Sequence, residues 1–300
     1  METVKLASDL SFSRIILGLM RLNQWGFDET ELIRFTEQCL EQGITTFDLA
    51  DIYGDYTCES IFGQVLKQKP ILRDRMQIVT KCGICMRSDK YPDRRVKYYD
   101  TSKEHILASV DNSLRHLQTD YIDLLLIHRP DPMIDPEEVA EAFAHLKKVG
   151  KVRHFGVSNF TPSQFRMISA YVEMPLVTNQ IEMSVLHVEP FFDGTMDQCL
   201  EKRIPPMAWS PLAGGRIFSA ADEQSLRTRE ALVQVGKELG DFSLDQLMLA
   251  WLLRHPGRIM PIIGTGRWDR ILSAVQSLAI PMTRMQWFQI LEASRGRQVD

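Results

Sequence analysis

Short apolar runs recur along the chain at residues 15–19, 45–49, 77–81, 124–128, 154–157, 177–181, 206–209 and 259–263, and each predicts a strand. Between them lie longer segments with apolar residues at helical spacing. Two helix starts are explicit: Asp135-Pro136-Glu137-Glu138 and Thr161-Pro162-Ser163-Gln164 each join a capping side chain to proline and an acid or amide. The strand runs are continuously apolar rather than alternating, as in a parallel sheet covered on both faces by crossover helices. Eight β-then-α repeats predict an α/β fold, a (β/α)8 TIM barrel, with residues 1–300 as a single domain. A doubly wound dinucleotide-binding sheet would need Gly-x-Gly-x-x-Gly after a strand. Gly264-Thr265-Gly266 comes nearest, but Asp269 stands where the third glycine is required, and no Walker A spacing occurs.

Composition narrows the class of protein. Of 300 residues, 44% are hydrophobic and 25% charged, and 35 Lys+Arg against 39 Asp+Glu leave a net charge of −4. That balance argues against a nucleic-acid partner. The apolar runs fall short of the ~20 residues that span a bilayer, and residues 1–14 lack a basic segment feeding a long apolar one. The reading is a cytoplasmic protein, off the membrane and by default monomeric. Five scattered cysteines (Cys39, Cys58, Cys82, Cys85, Cys199) read as reduced thiols rather than a disulfide framework.

In such barrels chemistry sits at the C-terminal ends of the strands. Asp48 ends the second expected strand with Tyr53 in its loop, Lys81 ends the third and His128 the fourth. Ser158 and Asn159 follow the fifth, and Gln180 lies near the end of the sixth. Each alone has a structural explanation: a cap, a solvated stem, a core histidine. Their convergence on one barrel mouth points to use, because clustered titratable groups are expensive to bury.

These residues lie in Phe47-Asp48-Leu49-Ala50-Asp51-Ile52-Tyr53-Gly54, Val79-Thr80-Lys81, Asp123-Leu124-Leu125-Leu126-Ile127-His128-Arg129-Pro130 and Gly156-Val157-Ser158-Asn159-Phe160. Asn179-Gln180, Trp209-Ser210-Pro211-Leu212 and Pro261-Ile262-Ile263-Gly264-Thr265 follow in order. Together they resemble the aldo/keto reductases over almost the whole chain. The resemblance implies an NADPH-dependent oxidoreductase reducing an aldehyde or ketone to an alcohol, with Asp48, Tyr53, Lys81 and His128 as catalytic tetrad. Tyr53 is the implied proton donor. A phenol with a pKa of about 10 needs adjustment for that work, and an ammonium favours the phenolate. Lys81 is therefore expected to lower the Tyr53 pKa, Asp48 to hold Lys81, and His128 to orient the substrate carbonyl.

The family's extended cofactor pose, transferred by position, implies that Ser158, Asn159 and Gln180 bind the carboxamide and that Trp209 stacks on the nicotinamide. Ser210, Pro211, Leu212, Gly214, Gly215 and Arg216 are implied along the pyrophosphate. Gly264, Thr265, Gly266 and Arg267 open a helix whose N-terminus suits a phosphate, and Arg270 falls where the family grips the 2′-phosphate. That implies NADPH/NADP+ over NADH. Ser273-Ala274 depart from the Glu-Asn common after this arginine. Gly18, Met20, Arg21 and Asp48 are also implied at the cofactor, and Trp25 with His128 at the carbonyl substrate.

Cys82-Gly83-Ile84-Cys85 has C-x-x-C spacing, but no second pair completes a zinc set, so no metal is expected. The Cys82 thiol is open to activation by Lys81. Residues 86–100 mix Arg87, Lys90, Arg94, Arg95 and Lys97 with Tyr91, Tyr98 and Tyr99, as a nucleic-acid patch would, but Asp89, Asp93 and Asp100 dilute the charge, which favours a solvated or lid-forming loop. Two other functions fit such a barrel. One is a cofactor-binding regulatory or redox-sensing protein with little turnover, the other a lyase using Lys81 as a Schiff base.

Overall fold

The computed structural model describes residues 1–299. Its strands are β1 (Thr3–Ala7), β2 (Leu10–Ser13), β3 (Ile16–Gly18), β4 (Thr46–Asp48), β5 (Gln77–Cys82), β6 (Ile84–Cys85), β7 (Tyr98–Tyr99), β8 (Ile122–Ile127), β9 (Val152–Ser158), β10 (Leu176–Glu182), β11 (Met207–Trp209) and β12 (Met260–Ile263). Eight of them close a barrel in the order β10-β11-β12-β3-β4-β5-β8-β9. All eight runs expected from sequence are present, with ends moved by one or two residues. Every residue of β8 is buried, and so is all of β5 beyond Gln77, which is why these strands read as unbroken apolar runs. Both helix starts are also present, with Asp135 capping Pro136–Lys148 and Thr161 capping Pro162–Tyr171.

The chain folds as two compact units. The first comprises Met1–Asn179 with Gly264–Gly266. Here the antiparallel hairpins β1–β2 and β6–β7 lie outside the barrel. Val4 and Phe12 of the first hairpin are fully buried. Its end is tied to the start of β4, where Ser13 N donates to Thr46 Oγ1 at 3.0 Å and Thr46 N to Ser13 Oγ at 3.1 Å. At the starts of β5 and β8, buried Arg73 pairs with Asp123 at 2.6 Å, and the same carboxylate accepts Ile78 N at 2.9 Å. Arg73 and Arg153 each stack on the Tyr121 ring, at 3.8 and 3.6 Å. Phe143 and Phe155 stack with centroids 4.1 Å apart, seating the Pro136–Lys148 helix on β9.

The second unit comprises Gln180–Ile263 and the chain from Arg267 onward. Helices Glu223–Leu239, Leu244–Leu253 and Arg284–Arg295 pack around Leu232, Val235, Leu247, Trp251, Ile290 and Leu291. Trp251 and Trp287 stack almost parallel, 4.8 Å apart. Each indole N–H donates to the other residue's carbonyl at 3.0 Å, so the buried Trp251 and the half-buried Trp287 leave no orphaned donor.

Helix spacing beside β5 depends on a missing side chain. A Cβ on Gly63 of the Cys58–Gln68 helix would come within 2.0 Å of the His116 carbonyl oxygen, in the Lys103–Leu117 helix. Backbone cannot yield as a flexible side chain would. Gly63→Ala is therefore expected to destabilise by about 1–3 kcal/mol, despite alanine's better helix propensity. A midpoint in urea equal to or above that of the wild type would contradict this packing.

Candidate active site

Asp48 lies directly across from Val79 in the parallel pairing of β4 and β5, and Lys81 is two residues further along the same strand face. Pairing alone thus aims the carboxylate and the ammonium at the same space. Lys81 is fully buried, with Nζ 2.9 and 2.8 Å from the two Asp48 oxygens, 2.6 Å from Leu49 O and 3.0 Å from the Tyr53 hydroxyl. A buried ammonium is tolerable only when its donors are met by a counter-charge. Burial pulls the Lys81 pKa down, but Asp48 and Tyr53 pull harder and leave it above its ordinary value.

Tyr53 opens the short turn Tyr53–Tyr56, in which Gly54, Asp55 and Tyr56 take φ of 58°, 53° and 60°. A left-handed tyrosine is rare, and such strain is characteristically held at functional sites. The Tyr53 phenol departs from expectation. Lys81 does pull its pKa down, but burial pushes harder and Asp48 adds to the rise, so it stands above 10.0. The phenol is therefore protonated at neutral pH.

His128 follows β8, its ring 5.8 Å from that of Tyr53 and nearly perpendicular to it. Burial, with Lys81, Arg129 and Lys97 adding to it, drives its pKa well below 6.5. The imidazole is neutral at pH 7, and Nδ1 is buried without a hydrogen-bond partner. Such a group is expensive unless something polar meets it.

The other sequence-predicted residues fall into their own units. In the first, Gly18 ends β3, Met20 and Arg21 are exposed beyond it, and Trp25 lies edge-on to Phe27 and Phe35. A Cβ on Gly266 would meet the Trp25 ring at 2.8 Å; Gly264 and Thr265 precede it. Ser158 ends β9, and Asn159 Nδ2 donates to Ser158 Oγ at 2.8 Å and to His128 O at 3.4 Å. In the second unit Gln180 is buried, its amide 3.9 Å from Met207 Sδ, and Trp209 ends β11 half-buried. The turn around Pro211 and Leu212 is unusual, with positive φ before them at Ser210 and after them at Ala213, Gly214 and Gly215. Arg216 pairs with Asp222 at 3.4 Å. Arg267 precedes the helix Trp268–Gln276 and pairs with Asp269 at 2.6 Å, so its charge is partly met within the chain; Arg270 is exposed in the first turn. Ser273 donates to Asp245 at 2.7 Å and Ala274 is buried, which commits both to internal packing.

All five cysteines are free and buried. Cys82 is not activated by Lys81: burial raises its thiol well above 9.0, and Asp51 and Glu59 add to that. Residues 86–100 are built rather than loose. Arg94 stacks on Tyr91 at 3.8 Å and donates to the Tyr56 hydroxyl at 2.7 Å, while Met86 N donates to the same oxygen at 2.9 Å.

Several contributing groups carry no sequence signal of their role. Leu49 acts through its carbonyl. Asn179 donates to Phe160 O at 2.8 Å and accepts from Phe160 N at 3.4 Å, fixing the loop after β9. Arg129 adds charge beside His128 and Tyr53. Tyr56 anchors the 86–100 loop; its place three residues after Tyr53 was the only clue.

A closed eight-stranded α/β barrel with a buried Lys–Asp pair against a tyrosine and a histidine at its strand ends defines a class. The sequence model of the aldo/keto reductase family matches residues 14–295, and the chain belongs to this family. It is 54% identical over 299 residues to the oxidoreductase YcsN of Bacillus subtilis, covering 100% of both chains. It is 45% identical over 300 residues to the 6-dehydroglucose reductase of Agrobacterium fabrum, again covering 100% of both. A solved aldo/keto reductase from Klebsiella pneumoniae in complex with NADP and acetate matches with TM-score 0.77 and 25% identity, covering 96% of this chain and 93% of that one. Among the described residues no helix is long and apolar enough to cross a membrane.

The His128 environment gives a pH prediction. Below about pH 6.5 the unfolded chain protonates this histidine while the folded chain does not, so stability falls as pH falls. His128→Asn removes that contribution. The wild-type melting temperature is expected to drop further between about pH 7 and pH 5 than that of the variant. Parallel drops would show that His128 is protonated in the fold.

Proposed function

We propose that this oxidoreductase is an NADPH-dependent reductase converting an aldehyde or ketone to an alcohol, with residues 1–300 as one barrel domain. The observation that carries it is the Lys81 ammonium, buried and touching both Asp48 and Tyr53. NADPH, when bound, supplies the hydride. As negative charge grows on the carbonyl oxygen, the Tyr53 hydroxyl gives up its proton, since an alkoxide is a stronger base than a phenolate. Lys81, 3.0 Å away, meets the phenolate left behind, and Asp48 keeps Lys81 charged and in place. Neutral His128 donates a hydrogen bond to the same carbonyl oxygen and so orients it. No Schiff base is needed, and a charged, fully engaged Lys81 is a poor nucleophile for one.

The residues fit a dinucleotide. Gly214 and Gly215 have positive φ and nothing within 4 Å of where a Cβ would lie, an open backbone cradle of the kind that takes a pyrophosphate. The exposed Arg270 stands in the first turn of a nine-residue helix, suited to a 2′-phosphate. Ser158, Asn159, Gln180 and Trp209 are assigned to the nicotinamide end on the resemblance, with Gly18, Met20, Arg21, Ser210, Pro211, Leu212, Arg216, Gly264, Thr265, Gly266 and Arg267 along the rest. A relative named 6-dehydroglucose reductase makes a sugar aldehyde the substrate to test first. The intact Asp48, Tyr53, Lys81 and His128 favour turnover over a sensing role.

Tyr53→Phe is expected to lower kcat about 10²–10⁴-fold while NADPH affinity, followed by tryptophan quenching, is kept. Near-wild-type turnover would remove Tyr53 from the donor role. Arg270→Ala should weaken NADPH binding roughly 10–100-fold and leave NADH binding unchanged, since one charge-assisted contact is worth about 1.5–3 kcal/mol. Equal effects on both nucleotides would place the 2′-phosphate elsewhere.

A further inference from the structure

Behind the catalytic groups, in the first unit, Cys85, Asp100 and His105 come together although none is used by the reduction. One ligand atom from each lies within 4.8 Å of the other two. Cys85 Sγ is 3.9 Å from His105 Nε2, and Asp100 Oδ2 is 3.8 Å from His105 Nδ1. Three separate elements supply them. Cys85 ends β6, Asp100 follows β7, and His105 stands in the first turn of the Lys103–Leu117 helix. The sequence set the C-x-x-C segment aside as a zinc half-site because no second pair exists. Folding supplies Cys85 instead with a carboxylate and an imidazole.

We infer that Cys85, Asp100 and His105 form a binding site for a divalent transition metal of the zinc type. One thiolate, one imidazole and one carboxylate suit Zn²⁺ in both number and softness. In a tetrahedral site with metal–ligand bonds of about 2.0–2.3 Å, ligand atoms lie roughly 3.3–3.8 Å apart. The two distances above run to opposite ring nitrogens, so with one nitrogen as ligand the three atoms start within 4.8 Å of one another and must draw in by about 1 Å. The movable members allow it: side chains of Asp100 and His105 are 34% and 19% exposed, whereas Cys85 is buried. Asp100 is already oriented, because its other oxygen accepts Ser102 N at 3.1 Å and Ser102 Oγ at 2.6 Å. The exposed side gives water access to the fourth position.

The metal displaces the Cys85 thiol proton to solvent, takes the lone pair of one imidazole nitrogen, and accepts the Asp100 carboxylate. Two negative ligands then neutralise its two positive charges, and no electron is transferred. The Arg94 guanidinium, whose charge reaches all three groups, opposes the dication and moderates its affinity. Cys85 and Asp100 stand at the two ends of residues 86–99, so the metal closes that loop at its base and fastens it to a barrel helix. Closing a loop by a metal clip removes chain entropy from the unfolded state.

The test uses the full chain, purified without a polyhistidine tag and stripped with chelator. Cobalt(II) titration is expected to produce a thiolate-to-cobalt charge-transfer band that saturates at one equivalent and is displaced by zinc. The band should persist in Cys82→Ser and vanish in Cys85→Ser. Asp100→Asn and His105→Ala alter partly exposed residues and leave the fold intact. Each should weaken zinc, measured against a chromophoric chelator, at least ~10-fold, the loss seen even for outer-shell partners. Absence of the band, its survival in Cys85→Ser, or unchanged zinc affinity in both His105→Ala and Asp100→Asn would overturn the site. Carbonyl reduction is read separately, so failure of either claim leaves the other standing.

Discussion

The buried Lys81 ammonium is the constraint around which the first unit is arranged. A charge with no exposure has to be met on every donor, and a lysine has three. Asp48, the Leu49 carbonyl and the Tyr53 hydroxyl meet them, which requires β4 and β5 to pair in one register only. A slip of one residue would turn Asp48 away and leave the ammonium buried alone. The same requirement places Tyr53, because the chain leaving β4 must double back within five residues to bring the phenol to Nζ. The left-handed Gly54, Asp55 and Tyr56 then turn the chain immediately beyond Tyr53.

The two ends of the strands are specialised differently. At their beginnings, the Arg73–Asp123 ion pair and the Tyr121 ring stacked by Arg73 and Arg153 join neighbouring elements. At their ends lie groups whose proton affinities are displaced by burial: a phenol raised, a histidine lowered. Anchoring contacts and displaced titratable groups thus share β5 and β8 without sharing residues. The Asp123 carboxylate and His128 are five residues apart on one chain segment, yet one anchors and the other faces the mouth.

How much of this could be read from the sequence depends on what kind of information each feature needs. The eight barrel strands were legible because double-sided burial leaves unbroken apolar runs such as Leu124 to Ile127. The hairpins β1–β2 and β6–β7 were not, since one is short and alternating and the other only two residues long on each side. The cluster of Asp48, Lys81 and His128 was legible as polar residues ending apolar strands, with Tyr53 in the loop after the second. The Tyr53 pKa was not, because its direction depends on the contest between burial and one ammonium, and burial is a property of the fold. The roles of Asn179, quoted only within a motif, and of Tyr56 were not legible for a related reason: their bonds go to the backbone and to a distant loop, which leave no pattern in the chain.

The Trp251–Trp287 pair gives the second unit an optical signature of its own. Two indoles 4.8 Å apart and 5° from parallel couple their electronic transitions, so near-ultraviolet circular dichroism from them reports a geometry rather than an environment. The reciprocal N–H bonds hold that geometry against side-chain rotation. Because the partners sit on helices 36 residues apart, the signal disappears as soon as those helices separate, well before either helix unwinds. Loosening of tertiary packing in this half of the molecule can therefore be seen separately from loss of secondary structure, using only chromophores that the chain already carries.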